Sequence, residues 1–294
     1  MRRISKDLSD FHTALQFVFG PLDWWPEADG NIHRFHVPGD KPGSRNGWYL
    51  VFSGDVSAGC FGSWKTGVTT YWSTRTTGDP FEQNLLRERI DQARQQREAE
   101  LLQRQATVAA SARQLWDGAN AADPQHPYLL AKGCPPTGLR QCDEWLLVPL
   151  YYAGEIVSMQ RIGPNRDKRF LGGGRTKGAA ALLGTITAGE PLYICEGWAT
   201  GSTLHAATGA AVACAMSANN LLAAGQHLRS LYPDSILIIA GDDDRQTEGN
   251  PGRRYAHIAA QQLGCGLILP PWPVEAPLHL TDFNDLRQWQ AACL

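Results

Sequence analysis

From Pro191 onward the short apolar runs of this chain stop on carboxylates, in a fixed order. Pro191-Leu192-Tyr193-Ile194-Cys195 meets Glu196-Gly197, and Ile236-Leu237-Ile238-Ile239-Ala240 passes through Gly241 into Asp242-Asp243-Asp244. Thr281-Asp282-Phe283-Asn284-Asp285 closes the series. An apolar run ending at an acid reads as a buried parallel strand presenting its carboxyl end to solvent, the edge where open α/β sheets place their chemistry. Strands are expected at 192–195, 211–216, 236–240 and 267–269. Helices are expected at about 199–207, 218–231 and 252–263, with a short last one from 282. This alternation predicts βαβ units, hence a Rossmann-like parallel sheet with flanking helices. Several carboxylates meeting at one edge repel one another unless a hard divalent cation holds them, so Mg²⁺ or Mn²⁺ is the expected partner.

The chain of 294 residues has room for two or three small domains, and 43% hydrophobic residues suffice for soluble cores. No stretch reaches the roughly 20 apolar residues needed to cross a bilayer. The opening Met1-Arg2-Arg3-Ile4-Ser5 has no apolar run behind it, unlike a secretory signal. Seven scattered cysteines without a Cys-x-x-Cys suit reduced thiols in a cytoplasmic protein, not a disulfide framework or a zinc site. The net charge of −2 hides a split: residues 126–178 carry eight basic against four acidic side chains, and residues 189–294 carry five against ten. A basic segment beside an acidic one suits phosphate binding next to metal binding.

Four segments follow. Residues 1–77 read as a short helix whose Phe11, Leu15, Phe17, Val18 and Phe19 give an apolar opening stopped at Gly20-Pro21, then a small β-rich module with strands at 32–37, 47–52 and 59–64. Residues 78–120 read as a long solvated helical connector: Asp79-Pro80-Phe81-Glu82 suits a capping box, and no strict heptad supports a coiled-coil arm. Residues 121–187 form a mixed, basic α+β subdomain with Ala153-Gly154 at a tight turn. Residues 188–294 hold the parallel sheet.

Asp242 and Asp244 point the same way from an extended backbone and Asp243 points away, so two carboxylates reach one ion or two neighbouring ions. The plainer reading is that the Asp run caps the next helix. Gln160-Arg161 and Lys168-Arg169-Phe170, with Arg175 and Lys177 around Gly172-Gly173-Gly174, suit phosphate contacts with a ring available to stack on a base. Their plainer reading is a solvated loop.

Glu196-Gly197 with Ala199-Thr200, Asn219-Asn220, Asp242 and Asp244 with Gly252, and Thr281 to Leu286 together resemble the TOPRIM primases of plasmids, phages and satellite phages. So do Lys168 to Leu171, Lys177-Gly178, His126-Pro127-Tyr128 and Lys132-Gly133. The likeness covers about 124–286 and extends, more distantly, to the bacterial replicative primase. It implies RNA primer synthesis on a single-stranded DNA template from ribonucleoside triphosphates. Glu196, Asp242 and Asp244 match the catalytic set, and Asp242, Asp244, Asp282 and Asp285 match the metal ligands. Arg161, Lys168, Arg169, Lys177 and Asn220 match the nucleotide- and strand-binding positions. Two other uses of the same residues stand beside this one: a TOPRIM nuclease, and a single-strand-binding replication accessory with a silent site.

The first segment departs from the family, which often opens with a zinc ribbon. Only Cys60 stands near a ligand position, and one thiolate with His33 and His36 does not make four spaced ligands, so no zinc is expected. Trp48, Phe61 and Trp64 are expected to replace the ion as core; the alternative is a single-strand platform of Trp48, Trp64 and Arg34. No Gly-x-x-x-x-Gly-Lys-[Ser/Thr] occurs, so a helicase or initiator is expected as a separate partner.

Overall fold

The computed structural model describes residues 5–53, 57–63, 65–66, 69–74 and 80–293. The chain divides into two compact units, residues 1–101 and 102–294. Trp64 and Asp79, expected respectively in the aromatic core and at a helix cap, lie outside the described residues, as does the side chain of Glu82.

In the first unit, helix α1 (Lys6–Phe19) starts where Ser5 Oγ accepts from the Leu8 N–H (3.3 Å). Its Phe11 and Leu15, one turn apart, are fully buried, each burial contributing about 1.5–3 kcal/mol. They cover an antiparallel sheet of β1 (His33–Phe35), β2 (Gly47–Phe52), β3 (Ala58–Ser63) and β4 (Thr69–Ser73), in that order. The sheet is buried on both faces. Phe35, Tyr49, Val51 and Phe61 meet α1, while Trp48, Leu50 and Cys60 form a second cluster. Trp48 is only 3% exposed, so its ring is core and offers no platform to a base. Arg34 is exposed, its guanidinium held by the Arg45 carbonyl.

Helix α2 (Pro80–Asp117) leads into the second unit. The sequence suggests a solvated connector, but its last turns are anchored there. Ala112 packs with Leu147, Ile156 and Met159, Arg113 Nη1 donates to the Ile156 carbonyl (3.2 Å), and Arg140 Nη1 donates to the Trp116 carbonyl (2.6 Å). Alanines carry this contact, which is why the apolar stripe is faint in the sequence.

After β5 (Asn120–Ala121) and α3 (Pro127–Lys132) come β6 (Arg140–Cys142), β7 (Trp145–Tyr152), β8 (Glu155–Ile162) and β9 (Lys168–Phe170). With β5 they make one antiparallel sheet, ordered β5-β6-β7-β8-β9. The β7–β8 hairpin turns at Ala153 and Gly154, with φ of 51° and 83°, as a two-residue turn requires.

The second sheet of this unit uses β10 (Ala181–Leu183), β11 (Pro191–Cys195), β12 (Ala211–Cys214), β13 (Ile236–Ala240) and β14 (Gly266–Ile268). Its order is β10-β12-β11-β13-β14, parallel throughout except for the β10 edge. Helices α4 (Trp198–Thr208), α5 (Leu221–Leu231), α6 (Pro251–Leu263) and α7 (Phe283–Ala292) complete it, with one 3₁₀ turn at Ala218–Asn220. The two sheets are stitched where Tyr151 and Ala180 exchange backbone hydrogen bonds (2.8 and 3.1 Å). One core runs through both, from Tyr128, Leu146 and Val148 to Cys195, Trp198 and Val212. The chain therefore packs straight across residue 187. No helix among the described residues is long and apolar enough to cross a membrane.

Candidate active site

Cys195 of β11 pairs with Ala240 of β13, so Glu196 and Gly241-Asp242 leave neighbouring parallel strands at one level. The Asp243 N–H donates to the Thr281 carbonyl (2.7 Å), drawing the start of α7 to the same edge. The Asp run does engage the start of the next helix. Asp244 Oδ2 accepts from the Gly252 N–H at the start of α6 (2.9 Å), and the Asp244 N–H donates to Asn250 Oδ1 (2.9 Å). A Cβ on residue 252 would stand 2.9 Å from Asp244 Oδ2 and 3.1 Å from Asp242 Cβ, so only glycine lets α6 close on the loop. Asp243 is turned away and buried: its Oδ1 accepts from Asn250 Nδ2 (2.7 Å) and lies 3.8 Å from Arg253. Asp282 caps α7, its Oδ1 accepting from the Asp285 N–H (2.7 Å). Asp285 has both oxygens engaged, Oδ2 by the Thr281 N–H (3.1 Å) and Oδ1 by Lys132 Nζ (3.3 Å).

Glu196 Oε1 and Asp242 Oδ1 are different: both are buried and neither has a hydrogen-bond partner. Burial, then the charges of Asp244 and Asp282, push the Glu196 carboxyl up to about 7. Burial, then Glu196, Asp282, Asp244 and Asp285, push Asp242 well above the usual carboxylate range. Two orphaned buried oxygens within an all-carboxylate donor set fit a hard divalent cation. Among the described residues, the one group of three or more donors lying within 4.8 Å of each other is elsewhere, at Glu27, Asp29 and His33 in the first unit. The edge carboxylates stand wider, three of them tied to helix starts.

Of the described cations on the antiparallel sheet and the loop after it, Lys168 is the one that interacts with the acids of this edge. Lys168 is exposed along its length, but its ammonium turns in over the Tyr128 ring, 5.7 Å from the centroid. Lost hydration, then the charge of Lys132, lowers its pKa despite Asp282 and Asp242 nearby. Tyr128 itself is buried, with its hydroxyl unpartnered. Arg161 and Arg169 flank the Trp145 ring at 5.5 and 5.7 Å, and Arg169 pairs with Asp167 at 3.3 Å. Lys177 is exposed; its carbonyl accepts from Arg175 Nε (3.3 Å). Arg175 lies 3.4 Å over the Tyr152 ring, which also stacks on His227 at 3.8 Å.

Asn220 is a correction. Its Oδ1 accepts from the Gly178 N–H (2.8 Å), and its Nδ2 donates to the carbonyls of Thr176, Ala179 and Ala215 (3.0, 3.0 and 2.8 Å). The side chain is buried and fully used in fastening the basic loop to the end of β12, so it has no polar atom left for a nucleotide. Sequence reasoning missed Lys132 and Tyr128 as site residues. Their only signal was the motif from His126 to Gly133, to which no individual role was attached.

Residues 191–292 match the family model of the Toprim domain. The chain is similar to two Escherichia coli proteins, both named DNA primase TraC. One is 33% identical over 258 residues, covering 83% of this chain and 24% of that protein; the other is 32% identical over 274 residues, covering 89% and 19%. The chain thus spans about a quarter or less of the length of these relatives. Among solved structures, the primase fragment of the bacteriophage T7 primase-helicase aligns with a TM-score of 0.42 at 18% identity, over 60% of this chain and 76% of that one.

Proposed function

We propose, from the premise that residues 191–292 form a Toprim domain, that this chain is a DNA primase making short RNA primers on single-stranded DNA. What supports the reading is geometric: Glu196 and Asp242 leave paired parallel strands at one level, the Asp243–Thr281 hydrogen bond draws Asp282 to the same edge, and Lys168 turns its ammonium in over Tyr128. Similarity to the proteins named DNA primase TraC over more than four-fifths of the chain supports it.

Glu196 and Asp242, with Asp244 and Asp282, would hold Mg²⁺ or Mn²⁺. When bound, such an ion neutralises phosphate charge and acidifies a nearby hydroxyl. The chain's own residues do the rest. Lys168, with Lys132 beside it, places positive charge opposite the carboxylates, where a ribonucleoside triphosphate brings its phosphates. Glu196 is the carboxylate that would help hold the ion or accept the proton of an attacking ribose hydroxyl. Arg161 and Arg169, rigidly stacked on Trp145, offer guanidinium edges to the template backbone. A separate helicase or initiator would supply the exposed strand.

The test is incorporation of labelled ribonucleotides on single-stranded DNA with Mg²⁺, for the wild type and Asp242→Ala. The expected result is primers from the wild type and at least a hundredfold loss in the variant, the scale of removing a principal catalytic group. Equal synthesis by both would refute the site. Nicking of supercoiled DNA without nucleotides would instead support a nuclease. Tight single-strand binding with no synthesis on any template would support a silent accessory.

A further inference from the structure

We infer that Asp285 is a positioning residue for Lys132, not a metal ligand, and that Lys132 so held forms with Lys168 the seat for the triphosphate of the incoming nucleotide. The inference rests on the primase reading for the identity of that nucleotide, but its geometry is independent of it. Three residues of one turn of α7 take hold of the α3 terminus. Asn284 Nδ2 donates to the Lys132 carbonyl (2.9 Å), and Arg287 Nη2 donates to the carbonyls of Lys132 and Gly133 (2.7 and 2.8 Å). Asp285 Oδ1 pairs with the Lys132 ammonium at 3.3 Å, both side chains being about three-quarters buried. Asn284 is fully buried and also donates to Thr203 Oγ1 (3.0 Å) on α4, so the turn is fixed on the sheet domain. The lysine's backbone and its charge are thus set by the same acidic motif that the sequence alone assigns to metal.

Asp285 is poorly placed to serve an ion. Of the five carboxylates at the edge, it alone has one oxygen on a backbone N–H and the other on a cation. Giving either up to a metal would strand a half-buried lysine or open the first turn of α7. Lys132, in turn, is more than the counter-charge of Asp285. Lys168 turns its ammonium over the ring of Tyr128, which stands one turn before Lys132 on α3, so two like charges are gathered at one short helix, an arrangement an anion relieves. Two lysines near a carboxylate edge, one mostly buried and one exposed, make a seat for a polyanion, and a triphosphate bridging cation and lysines meets both charges.

The experiment uses the full chain and compares Asp285→Asn, Lys132→Ala, their double variant and Asp242→Asn, reading three quantities. Mn²⁺ binding is followed by electron paramagnetic resonance, inorganic triphosphate binding by calorimetry, and primer synthesis by its KM for nucleotide and its kcat. Expected are unchanged Mn²⁺ binding in Asp285→Asn against a large loss in Asp242→Asn. Triphosphate binding should weaken about tenfold in Asp285→Asn and in Lys132→Ala, with no further loss in the double variant, because one charge-assisted contact is removed in each case. The nucleotide KM should rise with kcat little changed. Loss of Mn²⁺ binding in Asp285→Asn comparable to Asp242→Asn would overturn the inference, as would triphosphate binding indifferent to both single changes. If both binding results come out as expected while the wild type makes no primers, the primase reading fails alone.

Discussion

At the scale of the residue, the site is built on two carboxylates, Glu196 and Asp242, each with one buried oxygen that has no hydrogen-bond partner. Glu196, with a folded pKa of about 7 against an ordinary 4.5, carries extra proton in the folded state. Its burial therefore costs stability progressively as pH rises from about 4.5 to 7, and the full cost stands above pH 7. Asp242, raised well above its ordinary value, acts in the same direction. Without divalent cations, the 102–294 unit should melt lower at pH 7.5 than at pH 5.5. Asp242→Asn should raise the melting temperature at pH 7.5 by roughly 2–4 °C for each kcal/mol of relieved repulsion. Added Mg²⁺ should stabilise the wild type and not this variant. Calorimetry at the two pH values checks the set; a variant less stable than wild type at pH 7.5 would mean that Asp242 is held by partners rather than strained. The acids were legible in the sequence because each ends an apolar run. Their second employments were not, since nothing in a run of Asp tells which oxygen turns to a helix N-terminus and which stays bare.

At the scale of the element, α6 and α7 start on the site, and the loop before β10 is fastened to it. Asn220 joins that basic loop to β12 by four hydrogen bonds, and it is the residue whose role the sequence misstates. A buried asparagine and a ligand-binding one are the same letter; only the carbonyls around it tell them apart. Asn220→Ala should therefore destabilise the unit by about 2–4 kcal/mol, leaving buried donor and acceptors unmatched, and should loosen residues 176–179. Denaturant unfolding with hydrogen exchange of that loop checks this, and a loss below about 0.5 kcal/mol would contradict it. The parallel strands and their helices were readable from the apolar runs and their glycine and acid stops. The antiparallel edge Ala181–Leu183 was not, because three residues following Ala179-Ala180, without β-branched or aromatic side chains, lack a strand's signature. Strand Thr69–Ser73 was missed for a similar reason, being half-exposed and polar. The docking of the end of α2 was hidden by its alanines.

At the scale of the whole molecule, the sequence separates a basic segment from an acidic one, while the chain folds them into one unit in which a core cluster is shared by both. The Asn284–Lys132 contact spans these segments and leaves no mark in local composition. On the function proposed above, template and triphosphate would enter over the lysines and arginines, and chemistry would proceed at the carboxylates. The most direct measurement compares single-stranded DNA binding and primer synthesis, over a series of salt concentrations, for the wild type, Asp242→Ala and the double change Lys168→Ala with Arg169→Ala. The account predicts that the double change weakens binding and flattens its salt dependence by about two counterions. It predicts that Asp242→Ala binds the template as well as the wild type or slightly better, having lost a negative charge facing the phosphates, and makes no primers. Unchanged binding and salt slope in the double variant, or primer synthesis by Asp242→Ala, would contradict it.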